Sequence, residues 1–141
     1  MRELRIERHV QLDLQPQAFA SEQWKLHDAE RQESFERQAF ALVARTENGN
    51  VTGTATGWMG MTVAYLSELI VDHVQRRHGV GTRLLIAFEA LAREEGITRL
   101  ALRTEKDGAA QDFYAHRGWW VEAELSDWYN GRTYVHMRKN L

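Results

Sequence analysis

The amino-acid sequence predicts an α/β (α+β) domain built in three layers. Three observations predict it. Short apolar runs of strand character alternate with helical stretches, two Asn-Gly dipeptides separate neighbouring runs, and a glycine-rich turn joins the most apolar run to the most amphipathic helix. The predicted order is β-α-β-β-β-α-β-α-β-β, without an internal repeat.

Each element follows from its own pattern. Residues 3–8 alternate charged and apolar side chains, the period of a half-buried strand. The polar stretch from Gln17 to Phe35, anchored sparsely by Phe19, Trp24, Leu26 and Phe35, predicts one or two surface helices. Residues 38–46 form a strand closed by Asn48-Gly49, a dipeptide that accepts the positive φ angles of a tight hairpin. Its partner is residues 51–59, rich in Thr and Val but weakened by Gly53 and Gly57.

Residues 63–71 are the most continuous apolar run, as expected of a strand buried on both faces. From Thr82 to Glu95, the residues Leu84, Leu85, Phe88, Leu91 and Ala92 share one helix face, and Gly96 is a natural stop. Residues 97–103 alternate as a strand, and a second helix runs from about Gly108 to His116 before Gly118. Residues 119–125 and 132–138 close the sheet around Asn130-Gly131.

Composition removes several function classes. The 141 residues are 43% hydrophobic and 27% charged, enough for one hydrophobic core. One proline and no biased run leave no linker, so residues 1–141 are read as a single domain. Net charge is −2 with scattered basic residues, whereas a nucleic-acid partner calls for a basic patch or stripe. No apolar stretch approaches the roughly 20 residues that cross a bilayer, and residues 1–10 lack the apolar segment of a signal peptide. The expectation is a cytoplasmic protein with neither nucleic acid nor membrane as partner. The absence of cysteine excludes disulfides, thiolate zinc sites and a cysteine nucleophile. No histidine pair has H-x-x-x-H or H-E-x-x-H spacing, so no metal is expected.

The central feature is Arg76-Arg77-His78-Gly79-Val80-Gly81-Thr82, between the most apolar strand and an amphipathic helix. Two glycines let the backbone turn sharply and keep Cβ atoms clear, so N–H groups converge. The following helix adds its unpaired N–H groups and the positive end of its dipole, an arrangement suited to a pyrophosphate. A Walker loop requires a Gly-Lys pair, and none occurs; a dinucleotide fingerprint requires a third glycine where Leu84 stands. Glycines serving the strand-to-helix turn alone remain the competing reading.

R-x-x-G-x-G, read as Arg76, Gly79 and Gly81, resembles the coenzyme A signature of the GNAT superfamily of acetyl-CoA-dependent N-acetyltransferases. It sits between Leu66-x-x-Leu69-x-Val71-Asp72 and Thr82-x-Leu84-Leu85. Downstream, Asp107-x-x-Ala110-x-x-Phe113-Tyr114-x-x-x-Gly118-Trp119 is similar to the family's N-x-x-A-x-x-[FL]-Y-x-x-x-G-F segment. The resemblance covers residues 38–141 well, and residues 1–37 by element order. Asp107 replaces the usual Asn, His73 the usual Pro and Trp119 the common Phe. The resemblance implies a GNAT-type fold: a central mixed, mostly antiparallel sheet with helices on both faces. It also implies acetyl-CoA as co-substrate, held by Leu69, Ile70, Val71, Arg76, Arg77, His78, Gly79, Val80, Gly81, Thr82, Asp107 and Tyr114.

The implied reaction moves an acetyl group to a primary amine by direct attack in a ternary complex. An alkyl ammonium must lose a proton before it attacks. Glu68 is the candidate base, and simple alternation puts it on the same face as Leu66 and Ile70, opposite Leu69 and Val71; the alternative is a carboxylate paired to Arg or Lys. A backbone N–H near Ile70 resembles the family's donor to the acetyl carbonyl. Tyr114 resembles its general acid toward the leaving thiolate, and it also reads as a core aromatic. Trp58 and Trp128 are candidates to flank the acceptor pocket. The acceptor is expected to be a small-molecule amine, with a protein N-terminus or lysine as the alternative. A non-catalytic acyl-CoA sensor and a structural domain that has lost the cofactor are competitors of another class. Homodimerisation is implied by the resemblance only.

Overall fold

The computed structural model describes residues 4–34, 36–75 and 78–141. They fall into two compact units, Met1–Phe35 and Glu36–Leu141.

The first unit holds one helix, α1 (Leu14–Arg31). It begins three residues before the expected start, because Pro16 sits in the first turn, where its missing N–H loses no intrahelical bond. It stops at Gln32, which is left-handed with a φ of 57°, and the Gln32 and Glu33 amides bond back to the Ala29 and Asp28 carbonyls. Residues 4–8 of the expected first strand form no regular element. Alternation marks a face, but a strand forms only when its backbone finds a paired neighbour. Glu3 and Phe35 lie outside the described residues.

The second unit is a six-stranded sheet: β1 (Gln38–Arg45), β2 (Val51–Gly60), β3 (Val63–Val71), β4 (Arg99–Glu105), β5 (Trp120–Tyr129) and β6 (Arg132–Asn140). Their order is β1-β2-β3-β4-β6-β5, with β3–β4 parallel and all other pairs antiparallel. The parallel pair needs a crossover, supplied by α2 (Val80–Glu94). Helix α3 (Ala109–Ala115) follows β4. The Asn130-Gly131 turn has φ angles of 54° and 70°, the double left-handed geometry of a tight hairpin.

The core lies between α2 and one face of the sheet. Leu84, Leu85, Phe88 and Ala92 are buried as the helical spacing predicts, and Phe88 stacks on Phe40 at 5.2 Å. Gly53 brings α2 close to the sheet: a Cβ there would come within 2.9 Å of Leu84 Cδ1. Gly96, with a φ of 73°, ends α2, and the Ile97 amide reaches back to the Ala92 carbonyl.

Strand β3 departs from expectation in two ways. Ser67, Glu68 and Ile70 are exposed, so its second half is not covered on both faces. A bulge also breaks its alternation: Thr56 pairs with Glu68 and the next residue, Gly57, pairs with Leu66, leaving Ser67 as an extra residue. Leu66 therefore faces the core with Leu69 and Val71, while Glu68 and Ile70 occupy the opposite face. The expected grouping of Leu66 with Glu68 is wrong by that one residue.

Candidate active site

The parallel strands part midway. Register runs from Val63 opposite Arg99 to Leu66 opposite Leu102, and ends there. Beyond it, β3 pairs only with β2, and β4 pairs only with β6 out to Glu105. The Asp72 amide donates to the Thr52 carbonyl at 2.7 Å. Two residues back, Ile70 opposes Thr54 in the same hydrogen-bonded phase, so its N–H is engaged with β2. Leu69 and Val71, on either side of Ile70 and in the opposite phase, turn their N–H groups away from β2, toward the gap. The backbone donor expected near Ile70 is thus available from the residue on either side.

Helix α2 begins beside the open end of β3. Its cap, Gly79, has a φ of 79° and no side-chain cap, so the Val80, Gly81 and Thr82 amides lack intrahelical acceptors. At Gly81 a Cβ would sit 3.6 Å from Val71 Cγ2 and 3.7 Å from Phe113 Cζ, so the first turn of α2 is wedged between β3 and α3. His78 and Gly79 are exposed at the mouth of the turn, with Val80, Gly81 and Thr82 half-buried. Arg76 and Arg77 lie outside the described residues.

Arg117, which the sequence reading did not single out, donates from its guanidinium to Thr82 Oγ1 at 2.8 Å and lies 5.2 Å from the Phe113 ring centre. This brings an exposed cation from the end of α3 to the first turn of α2. Thirty-five residues separate Arg117 from Thr82, so no local pattern could reveal the contact. Lys139 braces the same corner, donating to Glu89 Oε1 at 2.9 Å and to the Arg117 carbonyl at 2.8 Å.

Tyr114 is buried, 5.2 Å from Phe113 and 5.7 Å from Trp119 between ring centres. It belongs to the same buried cluster as Leu66 and Leu102, the last pair before the strands part. Burial pushes its phenol up to about 12, so it stays protonated through the physiological range. Asp107 occupies the turn before α3 with a φ of 60°, and its amide donates to Gln111 Oε1 at 2.6 Å. Aspartate is one of the few residues that adopt this left-handed region readily. Glu68 is exposed on the face opposite α2 and makes no ion pair among the described residues. On that face Trp58 stacks on Tyr65 at 5.7 Å, while Trp128 lies 5.4 Å from the Arg103 guanidinium.

Comparison with known proteins agrees with this arrangement. No curated protein matches the chain in sequence. Among solved structures, an acetyltransferase from Bacillus cereus ATCC 14579 superposes with a TM-score of 0.75 at 22% identity, covering 95% of this chain and 98% of its own. Ard1 from Thermoplasma volcanium gives 0.63 at 30% identity over 66% of this chain and 65% of its own. An aminoglycoside 6'-N-acetyltransferase complexed with coenzyme A gives 0.65 at 18% identity over 72% of each. No helix among the described residues is long and apolar enough to cross a membrane. The model of the acetyltransferase (GNAT) family matches residues 5–119, from before α1 to the residue preceding β5, and takes in the parted strands and the glycine-capped helix: the chain belongs to the GNAT family of acetyltransferases.

Proposed function

We propose that this enzyme transfers an acetyl group from acetyl-CoA to the nitrogen of a small primary amine, by direct attack within a ternary complex. The reading rests above all on the end of β3–β4 pairing at Leu66 and Leu102, which leaves β3 unpaired on that side as far as Val71, where it packs against the uncapped first turn of α2. Two relatives in fold carry acetyltransferase names, and one of them, named for an aminoglycoside, was solved with coenzyme A. The family match runs across both units of the chain, which supports treating residues 1–141 as one catalytic domain.

The residues fit coenzyme A. The free amides of Val80, Gly81 and Thr82 form an anion cradle at the positive end of a helix, and the Cβ-free Gly79 leaves it open. Arg117 adds a cation there, and Arg76, Arg77 and His78 are assigned to the same loop. The gap beyond Leu66 offers the Leu69 and Val71 amides to an extended, amide-bearing arm, with Asp107 assigned to its far side. When bound, acetyl-CoA supplies an acetyl group activated as a thioester.

The chain's own groups then divide the work. The Leu69 or Val71 amide donates a hydrogen bond at the acetyl carbonyl oxygen, a donor worth about 3 kcal/mol where such groups have been removed. Glu68, on the face away from α2, takes the proton from the acceptor ammonium. Tyr114, kept neutral by burial, donates its hydroxyl proton at the departing sulfur.

Calorimetric titration with acetyl-CoA tests the reading. Micromolar affinity, about −8 kcal/mol, is expected, followed by amine-dependent thiol release. Absence of binding up to millimolar cofactor would leave the turn a purely structural feature. Tight binding without thiol release for any amine would favour an acyl-CoA sensor.

A further inference from the structure

The sheet face that carries Glu68 also holds a cavity of about 480 Å³, within the range of small-molecule sites. A row of direct register partners forms its floor and walls: Trp58 opposes Tyr65, Tyr65 opposes Ala101, and Ala101 opposes Arg138. Small Ala101 makes a trough between an aromatic wall and a basic one. The aromatic wall is held stiff, with Trp58 and Tyr65 stacked at 21° and the Arg37 guanidinium 4.1 Å from the indole centre.

Charge in the trough is unbalanced. Arg99, Arg103 and Arg138 line it against a single acid, Glu122. Glu122 is already engaged, accepting from Arg138 at 2.8 Å and lying 3.6 Å from His136 Nε2. Among the described residues Arg99 and Arg103 make no ion pair. Arg103 directly follows Leu102, the last residue paired across β3 and β4. It therefore flanks the parting of the strands on the side opposite Glu68 and on the same face. Tyr65 lies three residues before Glu68, about 7–10 Å along the strand, so the trough starts where an acceptor nitrogen would be deprotonated.

We propose that the acceptor is an amine that also carries an anionic group, a carboxylate or phosphate, with Arg103 as its specificity-determining partner and the trough as the seat of an apolar or aromatic body. The inference rests on the acetyltransfer reading for the role of the amine. A plain ammonium entering this trough meets two uncompensated guanidinium groups and is repelled; an anion-bearing one brings its own counter-charge. Guanidinium favours carboxylate and phosphate by forked hydrogen bonding, and a polyamine is selected against.

The test is calorimetry on the full chain with matched pairs: phenylalanine against phenethylamine, and phosphoethanolamine against ethanolamine. At least one anion-bearing compound is expected to bind tenfold or more tightly than its partner, and the responding pair distinguishes carboxylate from phosphate. In Arg103→Gln, exposed and so tolerated by the fold, the preference should fall below about threefold, with Arg103→Lys restoring part of it. Equal or tighter binding of both uncharged-tail amines, or a preference unchanged in Arg103→Gln, overturns the proposal. Acetyl-CoA is titrated separately. Its failure to bind, with the anion preference intact, would remove the acetyltransfer reading while leaving the cavity assignment standing.

Discussion

Leu66 and Glu68, two residues apart on β3, stand on opposite faces of the sheet because Ser67 bulges between them. The bulge has its own steric condition. A Cβ at Gly57 would overlap the Tyr65 carbonyl oxygen and come within 2.9 Å of the Phe40 ring. Gly57→Ala is expected to cost about 3 kcal/mol or more, a fall in Tm of roughly 10 °C for a chain of this size. A melting curve within two or so degrees of the parent would mean that no such bulge exists.

Substitution at Gly81 separates folding from the proposed cofactor binding. Its Cβ position meets only ordinary contacts and its φ is not left-handed, so Gly81→Ala should leave Tm nearly unchanged. Gly81→Glu should also fold, since a carboxylate suits a helix N-terminus. The same carboxylate would enter the phosphate cradle, so acetyl-CoA affinity is expected to fall at least about 100-fold, or ~2.7 kcal/mol. Unchanged affinity in the folded variant would move the cofactor away from α2.

Tyr114 carries an alkaline signature. Its folded-state pKa of about 12 stands above the ordinary 10, so the fold favours the neutral phenol. That stabilisation is complete below pH 10, where both states are protonated, and is lost as pH rises from 10 to 12, where only the unfolded phenol ionises. The shift corresponds to roughly 2–3 kcal/mol. Tyr114→Phe should therefore flatten the decline of stability between pH 10 and 12. Absorbance titration should show one of the four tyrosines ionising last, and absent in the variant. Turnover should drop about 100-fold with acetyl-CoA affinity kept; an unchanged rate would exclude Tyr114 as the acid.

For Glu68, exposed and outside the core, substitution should spare stability. Glu68→Gln is expected to lower kcat by about 100-fold and to remove the rise of rate with pH, because the amide cannot accept the proton. A pH profile identical to the parent's would assign deprotonation to another group or to solvent.

Lys139 ties β6 to α2 and to the segment after α3 through Glu89 and the Arg117 carbonyl. Glu89 is only 8% exposed, so Lys139→Met strands a carboxylate and should cost about 2–3 kcal/mol. Adding Glu89→Leu should recover part of that loss, and strict additivity in the double variant would mean the two do not interact.

The sequence by itself determined the features that depend on spacing within one element. The buried stripe of α2, its glycine stop, the Asn130-Gly131 hairpin and the glycine-rich turn each require only a side-chain period or one residue's φ preference. Family membership was also legible, because Arg76, Gly79, Gly81, Ala110, Phe113, Tyr114 and Gly118 keep their order and separation along the chain. Tertiary structure alone decided what depends on strand neighbours and register. Residues 4–8 had the alternation of a strand, yet among the described residues they form no regular element. One inserted residue, Ser67, reversed the face of Leu66 relative to Glu68. The phase of β2–β3 pairing turns the Leu69 and Val71 amides, on either side of Ile70, toward the side that β4 leaves. Arg117 meets Thr82 across 35 residues of sequence, and Arg103 comes to the parting of the strands because β4 lies beside β3 only as far as Leu102. Such contacts leave no local periodicity, because they are set by which strands lie side by side and where their hydrogen bonding stops.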